Sequence, residues 1–495
     1  MTALRFGAAL ALALVVTGCG GGSSGTGGGG DPVAVAPPPS PAPAPPPPLP
    51  TAGCDGAAQP GRSASSATVT AARYLGGGAA DSLNGAAVNS NCEVIVGGQV
   101  TGFTGTALSV AATPATATGL VLRLGPDGVT QLGAARFGTS VNDVALVPAT
   151  NEVAVASDAG LAVLSPALDA VRWQATGSFA RVAIGPDGTV AALGGASGKT
   201  LFVYNPSGSL RYNREFGDAM VNDVAVAGSG QAVRVAVTGM AQRDGGGCTQ
   251  LQVAWVRAYD LNNASAWAAY DWSQTQAFNQ NSSCADTRGY RLALGGDGKL
   301  YFAGESSGGN SIFRYGTLDL TANAPNVRTD SFNDPFNTGS NQITYLARLN
   351  PATGALEAGS FLLARLPNSR GNTIRPRALA ADAAGTVYLG GISAAYIQNR
   401  QAISLNGTTL ADYNGGDPWL LVLGGDFATR RAWLAFGNGG SGQVFGIGVN
   451  GSRVAIAAQA TGKNATTGRA LYTNDAAADW SGATAAYLAV LPPWR

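Results

Sequence analysis

Asn142-Asp143-Val144-Ala145-Leu146, a turn, and then Glu152-Val153-Ala154-Val155-Ala156-Ser157 form a unit that recurs on both sides of itself. Upstream, Asn84 to Val88 (NGAAV) precedes EVIVGG. Downstream, Ala180 to Ile184 precedes TVAALGG, Asn222 to Val226 precedes VRVAVTG, and Tyr290 to Leu294 precedes KLYFAG. Arg377 to Ala381 then precedes TVYLGG, and Phe445 to Val449 precedes RVAIAA, which makes seven copies. Each is a short apolar run, a turn, and a second run ending in Gly or another small residue. Runs this short, rich in Val, Ile and Ala and bounded by Gly, Asn and Asp, read as strands, and no helical periodicity is sustained beyond residue 60.

The turns have hairpin chemistry. Gly185-Pro186-Asp187-Gly188, Gly295-Gly296-Asp297-Gly298 and Val449-Asn450-Gly451 supply residues that tolerate positive φ. A third run follows in each unit, as at Leu120 to Leu124, Leu201 to Asn205, Tyr345 to Leu349, Trp419 to Leu423 and Tyr487 to Leu491. Further hairpins such as Asn205-Pro206-Ser207-Gly208 lead to a fourth. Four-stranded antiparallel units in seven copies predict an all-β, seven-bladed β-propeller, each sheet covered by its neighbours. Thr68 to Leu75 precedes the first complete blade and should complete the last, joining the two ends of the domain.

The first run returns after 58, 38, 42, 68, 87 and 68 residues, so insertions interrupt a blade of about 40. They fall near Val100 to Thr118, Ala241 to Gln250, Glu305 to Asn341, Ser393 to Gly416 and Thr461 to Thr484. All are connections between second and third strands, which a meander places on one face, with the short hairpin turns on the other. The elaborated face is the expected place for binding.

Composition removes several functions. The chain has 495 residues with 71 Gly, 26 Pro, 12% charged residues and a net charge of +1. That charge gives no footprint for nucleic acid, which is not an expected partner. No histidine is present, which excludes a Ser-His-Asp triad and a His-ligated zinc. No cofactor or metal is expected, since no Asp cluster has EF-hand spacing. Gly304-Glu305-Ser306-Ser307-Gly308 lacks the strand-to-helix setting of a nucleophile elbow. Gly446 to Gly451 matches a dinucleotide fingerprint but lies in a β run, and Gly194 to Thr200 is one residue short of a phosphate loop.

The amino terminus reads as an address. Residues 1–18 hold Arg5, an apolar run from Phe6 to Val16 and small residues, the layout of a secretory signal too short to span a bilayer. Val16-Thr17-Gly18-Cys19 resembles the lipobox of bacterial lipoproteins, which implies cleavage before Cys19 and a lipid on its thiol. Gly20 is not the Asp that marks retention at the inner membrane, so the resemblance implies a lipid-anchored protein of the cell envelope at the outer membrane, with the membrane as a partner. Residues 19–53, nearly all Gly, Ser, Ala and Pro, are expected to be a disordered tether, and 54–495 the propeller.

Tyr74-Leu75-Gly76-Gly77, Asp81-Ser82, Asn84-Gly85-Ala86-Ala87-Val88 and Val94-Ile95-Val96-Gly97-Gly98 resemble the bacterial seven-bladed β-propeller repeat family, as does Gly416-Asp417-Pro418-Trp419. The resemblance implies the fold and an envelope or extracellular setting, and no common reaction. On a propeller, Cys54 and Cys92 fall on the short-turn face and Cys248 and Cys284 on the other, so Cys54–Cys92 and Cys248–Cys284 are the expected disulfides. They suit an oxidising compartment.

Near the elaborated mouth the same placement gathers Asp81, Asn84, Asn142, Asp143, Asp218, Asn222, Asp223, Asp286, Arg288, Arg375 and Arg377, with Trp267, Trp272, Tyr396, Tyr413 and Trp480 in or near the larger loops. Asp and Asn there can serve backbone amides between blades. Alternatively, aromatics supply contact area and Arg or Asp specificity. The expected function is a binding or scaffolding module for an envelope protein or a glycan. The alternative is a lyase or hydrolase acting on a polysaccharide-like polymer with Asp and Arg at the mouth.

Overall fold

The computed structural model describes residues 59, 64–76, 80–110, 113–114, 116–324, 327–329, 342–365, 371–394, 396–397, 399–463, 468–475, 480 and 482–494. The chain divides into the unit Met1–Leu49 and the compact unit Pro50–Arg495. The signal, Cys19, the tether and Cys54 lie outside the described residues.

The described chain is all-β, built from successive antiparallel sheets. The first sheet orders Ser82–Val88, Val94–Gln99, Gly119–Leu124 and Gln131–Phe137 from inside to outside. The second uses Val141–Leu146, Val153–Ser157, Leu161–Leu164 and Val171–Ala175; the third Phe179–Ile184, Val190–Gly194, Thr200–Tyr204 and Leu210–Glu215. The fourth uses Met220–Ala227, Arg234–Arg243, Leu251–Tyr259 and Ser265–Ala269; the fifth Thr287–Leu294, Leu300–Ser307, Gln342–Leu349 and Leu356–Leu362. The sixth uses Ile374–Ala381, Val387–Ser393, Asp417–Leu423 and Arg430–Ala435. The seventh uses Ser441–Asn450, Arg453–Thr461 and Thr484–Leu491, with Ala71–Leu75 paired antiparallel to the last as outer strand.

Equal four-stranded blades are not what the chain builds. Among the described residues, five sheets have four strands, two have five, and two small sheets have three and two. The extra strands come from the long connections. Leu108–Ser109 pairs parallel with the outer strand Gln131–Phe137, and Val327–Thr329 pairs parallel with Leu356–Leu362. These insertions cover sheet edges that would otherwise present unpaired backbone groups to another chain.

Second and third strands are buried on both faces: Val153–Ser157, Val190–Gly194 and Leu161–Leu164 are buried throughout. Continuous Val, Ala and Leu runs follow from that double burial, whereas outer strands such as Leu210–Glu215 alternate with solvent. One short helix, Gln274–Asn279, departs from the expected absence of helix. Ser273 caps it by accepting from Gln276 N while the Gln276 side chain bonds back.

The first residue of every sequence copy is a β-bulge. The register between inner and second strand slips at Asn84, Asn142, Ala180, Asn222, Tyr290, Arg377 and Phe445. The bulge pushes a carbonyl of the inner strand over the second strand, and this accounts for the recurrent terminal Gly. A Cβ on Gly98 would lie 2.0 Å from Ser82 O, one on Gly239 2.0 Å from Met220 O, and one on Gly391 1.9 Å from Arg375 O. Gly391→Ala should therefore displace backbone and lower the unfolding free energy by about 1–3 kcal/mol in urea melts. A loss below about 0.5 kcal/mol, the ordinary range of neutral surface changes, would contradict this close-approach account.

Cys248 and Cys284 form a disulfide linking the connection before Leu251 to the segment that enters the fifth sheet. Cys92 is also disulfide-bonded.

Candidate functional site

Successive inner strands lie against one another from the first sheet to the seventh, and Ser441–Asn450 of the last lies against Ser82–Val88 of the first. They enclose a cavity of about 550 Å³ lined by every inner strand.

The bulge residues tie neighbouring sheets together. Asn84 Nδ2 donates to Val141 O at 2.8 Å, Asn142 Nδ2 to Phe179 O at 2.9 Å, and Asn222 Nδ2 to Gly289 O at 2.6 Å. In each case the acceptor precedes the bulge region of another inner strand. The next residue adds a second tie where it is Asp. Asp143 accepts from Val144 N at 3.0 Å and Val182 N at 3.1 Å, and Asp223 from Val224 N and Leu292 N, both at 3.0 Å.

Position for position after the bulge, the sheets carry Gly85, Asp143, Arg181, Asp223, Arg291, Ala378 and Gly446. The second to fifth sheets thus set Asp, Arg, Asp and Arg in alternation, while the remainder of the belt is small. Glycine is required at one seam: a Cβ on Gly446 would meet Ala86 N at 2.8 Å, and one on Gly448 would meet Ala87 Cα at 2.4 Å. That packing, not a dinucleotide, explains the glycine motif.

Burial pushes Asp143 up to about 6, with Asp223 adding repulsion and Arg181 and Arg291 opposing. Burial and the proximity of Arg181 pull Arg291 down to about 9, which leaves its guanidinium charged near neutrality. A carboxyl raised above its unfolded value near 3.9 contributes stability fully present below about pH 4 and lost as pH rises through about 6. The difference in unfolding free energy between the native chain and Asp143→Asn should accordingly change by about 2–3 kcal/mol between pH 4 and pH 7, the native chain losing ground. Parallel pH dependences in the two would contradict the shift.

Toward the elaborated face stands a second constellation. Glu305 is fully buried; Arg288 Nη1 donates to its Oε1, and Arg375 Nε donates to Oε2 at 2.9 Å. Arg288 Nε also bonds Gln252 Oε1 at 2.5 Å and Arg288 lies 3.8 Å from Asp286, whose Oδ1 accepts from Gln252 N. The Arg377 guanidinium lies 5.7 Å from the Tyr290 ring, and Arg375 keeps 38% of its side-chain surface exposed. Arg375, bonded through Nε to the buried Glu305, and Arg377, beside the Tyr290 ring, thereby bring two guanidiniums to the mouth.

The remaining sequence candidates are placed elsewhere. Asp81 is buried and accepts from Thr101 N and Oγ1. Asp218 is paired with Arg257, which also holds Asp271. Trp480 is buried against Tyr74, and Trp267 is buried with its Nε1 bonded to Pro351 O. Tyr396 and Tyr413 meet edge to face at 5.5 Å, both half-buried. Asp143, Asp223 and the bulge asparagines are brought together on the inner strands; Asp286, Arg288, Arg375 and Arg377 gather at the mouth.

Sequence reasoning missed Arg181, Arg291, Tyr290 and Glu305. Aligning the copies on their first residue would have exposed the Asp, Arg, Asp, Arg column. Glu305 sits in a strand opposite Arg288, a pairing that only the register supplies. Among the described residues no group of three or more His, Cys, Asp or Glu side chains is arranged to hold a metal, and no helix is long and apolar enough to cross a membrane.

No protein-family model matches the chain, and no curated protein matches it. Among solved structures, the crystal structure of Saccharomyces cerevisiae Sqt1 is similar at 10% identity and a TM-score of 0.43, covering 86% of this chain and 100% of that one. At that score the likeness bears on neither fold detail nor function.

Proposed function

We propose that the chain is a lipid-anchored envelope protein whose sheets act as the blades of a seven-bladed propeller, and that it binds an anionic protein or glycan at the mouth on the elaborated face. The seven sequence copies and the return of the last inner strand to the first support the ring. The observation that carries the binding reading is the pair Arg375 and Arg377: the first is bonded to Glu305 with 38% of its side-chain surface exposed, and the second lies by the Tyr290 ring with its buried Nε unbonded. Arginine suits this task because its planar fork of donors matches carboxylate and sulfate-like oxygens. The lipobox at Cys19 and the Gly/Pro-rich tether support display from a membrane.

Capture from solubilised envelope of the source organism tests this reading, with the native chain and an Arg375→Ala, Arg377→Ala variant of unchanged melting temperature as baits. A protein or acidic glycan should be retained by the first and lost, by about tenfold or more, with the second. Equal recovery, or none from either, would sink it.

The enzymatic reading keeps one observation in its favour, the presence of Asp143, raised to about 6, and Asp223 on one cavity. It is the weaker reading because both carboxylates already accept two backbone amides and Arg181 occupies the intervening sheet.

A further inference from the structure

The cavity is a site distinct from the mouth, and its walls and floor differ in kind. Its lining runs from the charged belt toward the short hairpin turns, where Ser90, Asn151, Pro186, Gly296 and Asn450 form its rim. Between belt and rim the walls are apolar, as at Ala145, Leu146, Ile184, Leu294, Leu379 and Val449. Its volume of about 550 Å³ falls among those of small-ligand sites, about 300–1,000 Å³.

The floor has more donors than acceptors to meet them. Asp143 and Asp223 each use both oxygens on backbone amides, and Arg291 spends its Nε on the carbonyl of Arg377. Arg181, between the two Asp residues, has no hydrogen bond and no ion pair within contact distance among the described residues. The lining holds two guanidiniums, Arg181 and Arg291, and three carboxylates, Asp143, Asp223 and, toward the rim, Asp382, whose oxygens accept from Ala384 N, Thr386 N and the Tyr388 hydroxyl; the donors left unspent are those of Arg181. Arg181 is half-buried and feels the field of Asp143, but its donors make no hydrogen bond among the described residues, and a carboxylate can engage them with two parallel hydrogen bonds.

We infer that the cavity binds a small monocarboxylate with an apolar body, its head on Arg181 and its tail along the alanine- and leucine-lined wall toward the short-turn face. Strongly hydrated polyanions suit it poorly, since the wall offers them no polar partners. The inference does not depend on the partner proposed for the opposite mouth.

Isothermal titration of octanoate into the full chain tests it, beside octan-1-ol and acetate. Octanoate should bind saturably at one site per chain, at least about tenfold more tightly than either. Arg181→Gln should weaken octanoate by a similar factor and leave octan-1-ol unchanged; Ala183→Phe, which fills the wall, should weaken both. Absence of saturable octanoate binding, or equal affinity for octanoate and octan-1-ol on the native chain, would overturn the inference whether or not the variants fold. Unaltered octanoate affinity in a folded Arg181→Gln would overturn it equally.

Discussion

Asp417→Asn should lower the unfolding free energy by about 3–5 kcal/mol, enough to unfold a domain of ordinary stability near physiological temperature. Asp417 and Arg400 form an ion pair in which neither side chain has any exposed surface. Arg400 Nη2 also donates to Ala411 O at 2.9 Å and Gly437 O at 2.7 Å, while Asp417 Oδ1 accepts from Gly437 N at 3.2 Å. The pair therefore pins the connection 394–416 to the third strand of the sixth sheet. Removing the carboxylate charge leaves a guanidinium that cannot shed its proton at a position with no exposed surface.

The reverse change should be milder. Burial already pushes Asp417 up to about 6 against the pull of Arg400, so in Arg400→Met the remaining carboxyl can take up a proton. Urea melts at pH 7 should rank Asp417→Asn as the less stable of the two variants. Equal losses, or a loss below about 1 kcal/mol for Asp417→Asn, would show that the pair is not the anchor it resembles.

The second large effect concerns Cys248 and Cys284. The bond closes a loop across a separation of 36 residues, for which restriction of the unfolded chain contributes about 3–4 kcal/mol. It also ties down the segment with the helix Gln274–Asn279, whose Gln274 side chain donates to Cys248 O. Cys248→Ser with Cys284→Ser should thus lower the melting temperature by several degrees. Limited proteolysis should then cut first between residues 244 and 286. An unchanged melting temperature would mean that other contacts hold this connection.

Much of the fold was legible because one local device repeats. The residue that opens each sequence copy is the bulge, and the Gly that closes the second run is where the displaced carbonyl leaves no room for a Cβ. Local sequence thus carried both strand boundaries and register. The outer strand Ala71–Leu75 was equally readable, having no partner of its own nearby.

The site was less legible for a physical reason: its chemistry depends on which strands become neighbours. Asn142 and Asp143 could be expected to serve the backbone, as they do, but Arg181 set without a hydrogen bond between two acids is a property of three adjacent inner strands. Glu305 and Arg375 are 70 residues apart and meet only because the fifth and sixth sheets adjoin. Asp417 was visible in its motif, whereas Arg400 lies in an insertion with no pattern to mark it. Within the insertions, Leu108–Ser109 and Val327–Thr329 pair with outer strands, a placement that no local pattern marks.

The central claim is that the partner is held at the mouth formed by the fifth and sixth sheets. Hydrogen–deuterium exchange of the chain with and without its captured partner measures that directly. The account predicts slowed exchange in 286–290, 305–308 and 373–377, and none at the short turns near 186–188, 296–298 and 450–452. Protection confined to those turns or to the outer strands would contradict it.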